Sequence, residues 1–179
     1  MRDRKLRIRL DRLKQIRQAA NEVLRKIDCT EPPVPVEQVA AVYGAELLFA
    51  PYDEKDELAG MLVSNGHQPI IAVNSAHHRN RQRFTIAHEC GHLILGHKGQ
   101  AHLDKSFRVM RRDLNSSLAN NIEEVEANQF AAELLMPLRF LLRDMPSIDF
   151  ESDERVLDLS RKYEVSSLAM SYRIANLFM

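Results

Sequence analysis

His88, Glu89 and His92 are the residues whose types and spacing could do chemistry together. On a helix, residues four apart lie one above the other, so two imidazoles at this spacing can face a single metal ion. Glu89 follows His88 directly, about 100° further round the helix by the 3.6-residue period. A carboxylate there can hold a water against the metal and act as its general base. Phe84, Ile86, Ala87, Leu93, Ile94 and Leu95 surround the motif with apolar side chains that would bury such a helix. Gly91 places no side chain between the histidines and lets another backbone come close. The bland alternative is a core helix with two ordinary histidines and a surface glutamate. A third ligand is what separates the two readings.

Catalytic zinc takes three protein ligands and keeps one open position. A third histidine six residues after His92, following a glycine at position 95, would be the metzincin arrangement. Position 95 is Leu and position 98 is Lys, with Gly96 and His97 each one step out of place, so that pattern fails. Gly96 instead reads as the end of the helix, leaving His97 in the following turn. Cys90 could offer a thiolate, but its position points away from the face of His88 and His92, which makes it a small buried residue. The better third ligand lies downstream. Asn121 to Met136 reads as a second helix stopped by Pro137, on which Glu124, Asn128, Ala131 and Leu135 share one stripe. A carboxylate on that stripe could complete a His-His-Glu site, with Glu123, Glu126 or a histidine as alternatives. Asn128, one turn on from Glu124, could bond the far nitrogen of a ligand histidine and fix its tautomer.

The run Arg83-Phe84-Thr85-Ile86-Ala87-His88-Glu89-Cys90-Gly91-His92 is followed about thirty residues later by Glu124-Val125-Glu126-Ala127-Asn128-Gln129-Phe130-Ala131-Ala132-Glu133-Leu134-Leu135-Met136-Pro137. The pair resembles the ImmA/IrrE metallopeptidases, zinc enzymes of the gluzincin type. The two motifs together are specific, and a weaker resemblance extends over residues 30–177. It implies an α+β fold, with a small three-stranded, mainly antiparallel sheet packed on a mostly helical, zincin-like domain. It further implies one zinc per chain held by His88, His92 and Glu124, with Glu89 as catalytic base. Family members cut helix-turn-helix transcriptional repressors and so derepress mobile-element or stress-response genes. Peptidases of this type also use a His or Tyr to stabilise the oxyanion, for which His102, Tyr163 and Tyr172 are candidates. Two features depart from the family: Cys90 stands where leucine is common, and a long basic leader precedes the domain.

A chain of 179 residues is long enough for one domain with a sizeable core. Lys+Arg and Asp+Glu number 25 each, so no overall basicity argues for nucleic acid. Two cysteines make no disulfide framework. Without an apolar run of the ~20 residues a span needs, no membrane segment is expected. The charged N-terminus lacks the apolar stretch of a secretory signal. These features make a cytoplasmic protein the expectation.

Residues 1–28 are set apart as a basic amphipathic helix, and residues 29–179 as the peptidase-like domain. Over residues 1–27, ten Lys/Arg stand against three acids. The favoured reading is a docking helix with a solvated basic face; the rival is a contact for DNA or an acidic partner. A heptad-like Leu6, Leu13, Ala20, Ile27 repeat could serve a dimer or fold back on the domain, so oligomeric state stays open. The prolines of residues 29–35 make an extended connector. Residues 36–43 read as a short helix ended by Gly44, and 46–52, 60–64 and 69–74 as strands, with Asn65-Gly66 turning between the last two. Such a sheet beside the metal helix is what gluzincins use to hold an extended substrate by strand addition. His77 and His78 precede the metal helix and diverge, which disfavours a second metal site. Residues 97–119 are the least regular, and 145–154 read as an acidic loop. Residues 154–178 read as helix, turn, helix, with Ser166 or Ser167 capping the last. That pair resembles a DNA-binding unit, but its second helix offers only Arg173 and Asn176, so packing is favoured over DNA. Zinc suits the ligands, although manganese or iron could occupy them. The functional rivals to a peptidase are a DNA-binding regulator and a non-proteolytic partner of a helix-turn-helix protein, as in a toxin–antitoxin pair.

Overall fold

The computed structural model describes residues 9–51, 59–63, 68–97, 122–145 and 153–177, together with the backbone of 101–104. The elements run α1 (Leu10–Lys26), α2 (Val36–Val42), β1 (Glu46–Ala50), β2 (Gly60–Val63), β3 (Ile70–Asn74), α3 (Arg79–Leu95), β4 (Ala101–Asp104), α4 (Ile122–Leu135), α5 (Leu138–Asp144), α6 (Asp153–Tyr163) and α7 (Ser167–Leu177). The class is α+β, as expected.

The three anticipated strands are present and a fourth joins them. The sheet order is β1-β3-β2-β4. β4 falls in the stretch expected to be least regular, pairing antiparallel with β2 so that His102 stands opposite Leu62. β2 also runs antiparallel to β3, whereas β1 and β3 run parallel. The parallel pair requires a crossover, and the β2 segment provides it. β3 is central, and its Ile71, Ala72 and Val73 are all buried, as a strand covered on both faces requires. The Asn65-Gly66 turn lies outside the described residues, as do residues 1–8 of the leader.

Helix α3 lies against β2 and β3 and packs along α4, which also packs against α1. The α3–sheet contact is close: a Cβ on Gly60 of β2 would collide with the Thr85 methyl and the Ala72 carbonyl. α1 turns Ile16, Ala20, Val23 and Leu24 inward, at the spacing of one helical face. These residues join the same core as Ile71, Ile86, Phe130 and Leu134, so the leader folds back on the domain. Arg83, at the start of the metal-helix motif, is buried. It donates to the carbonyls of Val34 (2.9 Å) and Glu164 (3.3 Å), tying α3 to the proline connector and to the α6–α7 turn.

The terminal helix pair forms as anticipated, and Ser166 Oγ accepts from the Ala169 amide at 3.1 Å. Arg173, the basic residue of its second helix, is buried against Glu133 and the Met136 carbonyl and offers no guanidinium to a nucleic acid. The stretch read as an acidic loop gives way to helix one residue earlier than expected, with α6 beginning at Asp153. Among the described residues, no helix is long and apolar enough to cross a membrane.

Candidate metal centre

Helix α3 is buried almost all round at its functional turn. Thr85, Ile86, Ala87, His88, Glu89, Cys90, Gly91 and His92 are all inaccessible or nearly so. The helix starts at His78, whose ring accepts from the Asn80 amide. It ends at Gly96, in the left-handed conformation that glycine tolerates best (φ 70°). Neither end disturbs the 88–92 turn.

Glu124 enters from the first turn of α4. Its Oε2 lies 3.3 Å from His88 Nε2 and its Oε1 lies 3.3 Å from His92 Nε2. The two Nε2 atoms are 3.1 Å apart. With the ring hydrogen of each on Nδ1, two Nε2 lone pairs would face each other at this distance with no mutual attraction, which an ion between them would supply. A different carboxylate oxygen faces each histidine, and with one ligand atom per residue all three lie within 4.8 Å of one another. Tetrahedral zinc places its ligand atoms roughly 3.3 Å apart, so the residue types and their convergence suit such an ion. Among the described residues, these three form the group of His, Cys, Asp and Glu that could hold a metal. In the metal-free protein burial works to raise the Glu124 pKa, but hydrogen bonds and charge from His88 and His92, where their Nε2 atoms bear a proton, outweigh it and hold the carboxyl well below its ordinary range.

Cys90 is buried, and desolvation, with the Glu89 charge adding to it, pushes its thiol up to about 12. It stays protonated and offers no thiolate. Asn128 Oδ1 stands 3.1 Å from His88 Nδ1. As a carbonyl it accepts from Nδ1–H, which leaves the Nε2 lone pair facing Glu124.

His97, Glu126 and Arg12 take roles that sequence reasoning did not give them. His97, left in a turn by sequence reasoning, places Nδ1 3.0 Å from His92 Nδ1 and Nε2 3.1 Å from Glu126 Oε2. Glu126 in turn accepts from the Arg12 guanidinium of α1. That hydrogen bond leads in holding the Glu126 carboxyl below its ordinary value, against desolvation and with help from His97. The spacing of His97 from His92 matched no ligand pattern, and a hydrogen bond spanning 114 residues leaves no mark in sequence.

The three oxyanion candidates fare differently. Tyr163 is a core residue: its ring is fully buried and its hydroxyl donates to Asp144 Oδ2 at 2.8 Å. It is committed there and drops out. Tyr172 is exposed on α7. His102 lies on β4.

Close approach of α3 and α4 makes the centre possible. A Cβ on Gly91 would come within 3.1 Å of the Phe130 ring and 3.2 Å of the Ala127 Cα. Alanine gains up to about 1 kcal/mol in helix propensity, but overpacking typically costs about 1–3 kcal/mol. The obstacle here includes backbone, so the cost should win. Gly91→Ala is expected to lower the melting temperature and to weaken metal binding, because α4 carries Glu124 and Asn128. Thermal melts with and without metal check it: a variant as stable and as metal-competent as wild type would contradict the close-packing account.

A small mixed sheet backing a helix with paired histidines, and a second helix supplying the carboxylate, define a zincin-like α+β architecture. Residues 40–175 match the family model described as the IrrE N-terminal-like domain, and the chain belongs to that peptidase family. It is 29% identical over 133 residues to the radiation response metalloprotease IrrE of Deinococcus deserti, covering 74% of this chain and 43% of that protein. To the protein of the same name in Deinococcus radiodurans it is 28% identical over 136 residues, covering 76% of this chain and 38% of that one. The chain therefore spans less than half the length of these curated relatives.

Proposed function

We propose that the chain is a zinc-dependent endopeptidase. One observation carries the reading: His88 Nε2 and His92 Nε2 lie 3.1 Å apart, each 3.3 Å from one oxygen of the Glu124 carboxylate, with Glu89 buried on the same helix. Family membership supports it, as do relatives that bear the name metalloprotease. When bound, zinc supplies Lewis acidity that polarises a peptide carbonyl and eases deprotonation of water. His88, His92 and Glu124 hold it, and Asn128 keeps His88 in the ligating tautomer. Glu89 takes the proton of the attacking water and returns it to the leaving amine as the C–N bond breaks. Of the original oxyanion candidates, His102 and Tyr172 stay open.

The proposed substrate is a helix-turn-helix transcriptional repressor, cut to derepress stress-response or mobile-element genes in the cytoplasm. The resemblance supplies this substrate class. An extended peptide has two sheet edges among the described residues on which to add as a strand, β1 and β4. The rival readings, a DNA-binding regulator or a non-cutting partner of a repressor, have less to draw on. The terminal helix pair presents no free Arg173, and a binding module has no use for Glu89.

The test is metal content and cleavage together. Wild type should carry about one zinc per chain and cut a cognate repressor. Glu124→Ala should lose zinc by far more than the roughly 10–100-fold of a change outside the ligand set, and lose cleavage with it. Unaltered zinc in Glu124→Ala would move the third ligand to Glu123, Glu126 or a histidine. A zinc-free wild type that binds a repressor intact would establish the non-proteolytic reading.

A further inference from the structure

The two ligand histidines are held by different means. His88 is held by Asn128, on the same helix as Glu124. His92 is held by a chain that leaves the site: His92 Nδ1 to His97 Nδ1 at 3.0 Å, His97 Nε2 to Glu126 Oε2 at 3.1 Å, and Glu126 Oε2 to Arg12 of α1. Hydrogen positions along it follow from donor and acceptor chemistry. An Arg-paired carboxylate only accepts, so His97 Nε2 carries a hydrogen and donates. With one hydrogen on the ring, His97 Nδ1 is then an acceptor. His92 Nδ1 must therefore carry the hydrogen, which leaves its Nε2 lone pair facing His88 and Glu124. With His97 singly protonated this arrangement satisfies every contact of the chain, and it is the arrangement that ligates a metal. His97 and Glu126 are both nearly buried along their side chains, 4% and 10% exposed, so water does not readily replace either link.

Arg12 lies outside residues 40–175, the segment matched to the family. The leader helix is thus joined to the metal centre by a contact that the family match does not include. We infer that Arg12, Glu126 and His97 form a positioning relay through which docking of α1 sets the metal affinity of His92. None of the three touches metal or substrate; each acts through the next. A leader that only fills core space would do so through Ile16, Ala20, Val23 and Leu24, and Arg12 would then be a plain surface ion pair with no bearing on metal. The inference rests on the metal-site reading above.

Metal affinity tests the relay directly. Metal-free protein is titrated with zinc against a chelator of known affinity, for wild type, His97→Ala, Arg12→Ala, Arg12→Lys and the His97→Ala/Arg12→Ala double variant. Cobalt absorption reports ligand geometry, and melts of the metal-free proteins report folding. His97→Ala should weaken zinc by about 10–100-fold, the usual loss when a ligand's supporting residue is removed. Arg12→Ala should weaken it in the same direction by less and alter the cobalt spectrum, while Arg12→Lys should restore most of the loss. The double variant should bind no worse than His97→Ala alone, because the Arg12 effect passes through His97. Zinc affinity within about twofold of wild type in both single variants overturns the relay while leaving the three-ligand site standing. Losses that add in the double variant overturn the route through His97. Failure of wild type itself to bind zinc overturns the site reading, and the relay with it. Should His97→Ala not fold, Arg12→Ala and Arg12→Lys, at a position one-third exposed, decide the matter.

Discussion

Glu89→Gln is expected to keep zinc and to lose peptide hydrolysis by about 100- to 10,000-fold, the contribution of a positioned general base. The substitution keeps the shape of the side chain and removes its ability to take a proton. Glu89 is fully buried in the turn between the two histidines, so an isosteric replacement leaves the ligand positions where they are. Zinc content should therefore match wild type. The loss should appear in kcat with KM little changed, since the proton transfer is made in the transition state. Folding should not suffer, because taking an ionised carboxylate out of water disfavours the folded state. These readouts separate the base from a structural glutamate, which would show a lowered melting temperature and ordinary turnover. Full activity in Glu89→Gln would sink the mechanism.

The parts of the fold set by local periodicity were legible in the sequence, and the parts set by tertiary pairing were not. His88, Glu89 and His92 show themselves because four-residue spacing on one helix is a purely local relation. Gly96 shows as a helix end for the same reason, and Gly44 likewise closes α2. Glu124 and Asn128 could be placed on one stripe of α4, but that the stripe faces α3 depends on Gly91 being small enough to admit it. The strands at 46–50, 60–63 and 70–74 follow from apolar β-formers between turn residues. Their order does not: β1 lies parallel beside β3 rather than next to β2, and β4 comes from a stretch with no strand pattern. The amphipathic leader was legible, but its partners were not. Arg12 and Arg17 meet Glu126 and Glu133 because α1 lies along α4, and neither carboxylate differs in sequence from one on a solvated face. His97 was passed over because its role is a hydrogen bond to a ligand rather than ligation.

Glu133→Ala is expected to destabilise the protein by about 3–5 kcal/mol, the cost of removing one partner of a buried ion pair. Glu133 and Arg173 are 2% and 4% exposed along their side chains, with a contact of 2.6 Å. Arg173 also donates to Glu133 Oε1 at 2.9 Å and, through Nε, to the Met136 carbonyl at 3.0 Å. Without the carboxylate, its charge would stay buried with only a carbonyl to face. Arg17, the third member, is 45% exposed and can turn to water, so the penalty belongs to Arg173. Against a typical total of about 5–15 kcal/mol, the loss would be visible as a large fall in the urea midpoint. Pairing Glu133→Leu with Arg173→Met should recover much of it, because the uncompensated charge then goes too. Burial works to raise the Glu133 pKa, but the Arg173 and Arg17 contacts outweigh it and hold the carboxyl below its ordinary 4.5. The unfolded chain then binds a proton before the folded one as pH falls. Stability from this group is complete above the unfolded pKa and declines on acidification through the folded value. Glu124 and Glu126 are shifted in the same direction and add to the decline. Urea midpoints measured from pH 7 downward should therefore hold nearly level until about pH 5 and then drop. Glu133→Ala should start lower and fall less steeply. Equal acid slopes for the two proteins would show that the Glu133–Arg173 pair does not set the acid limit.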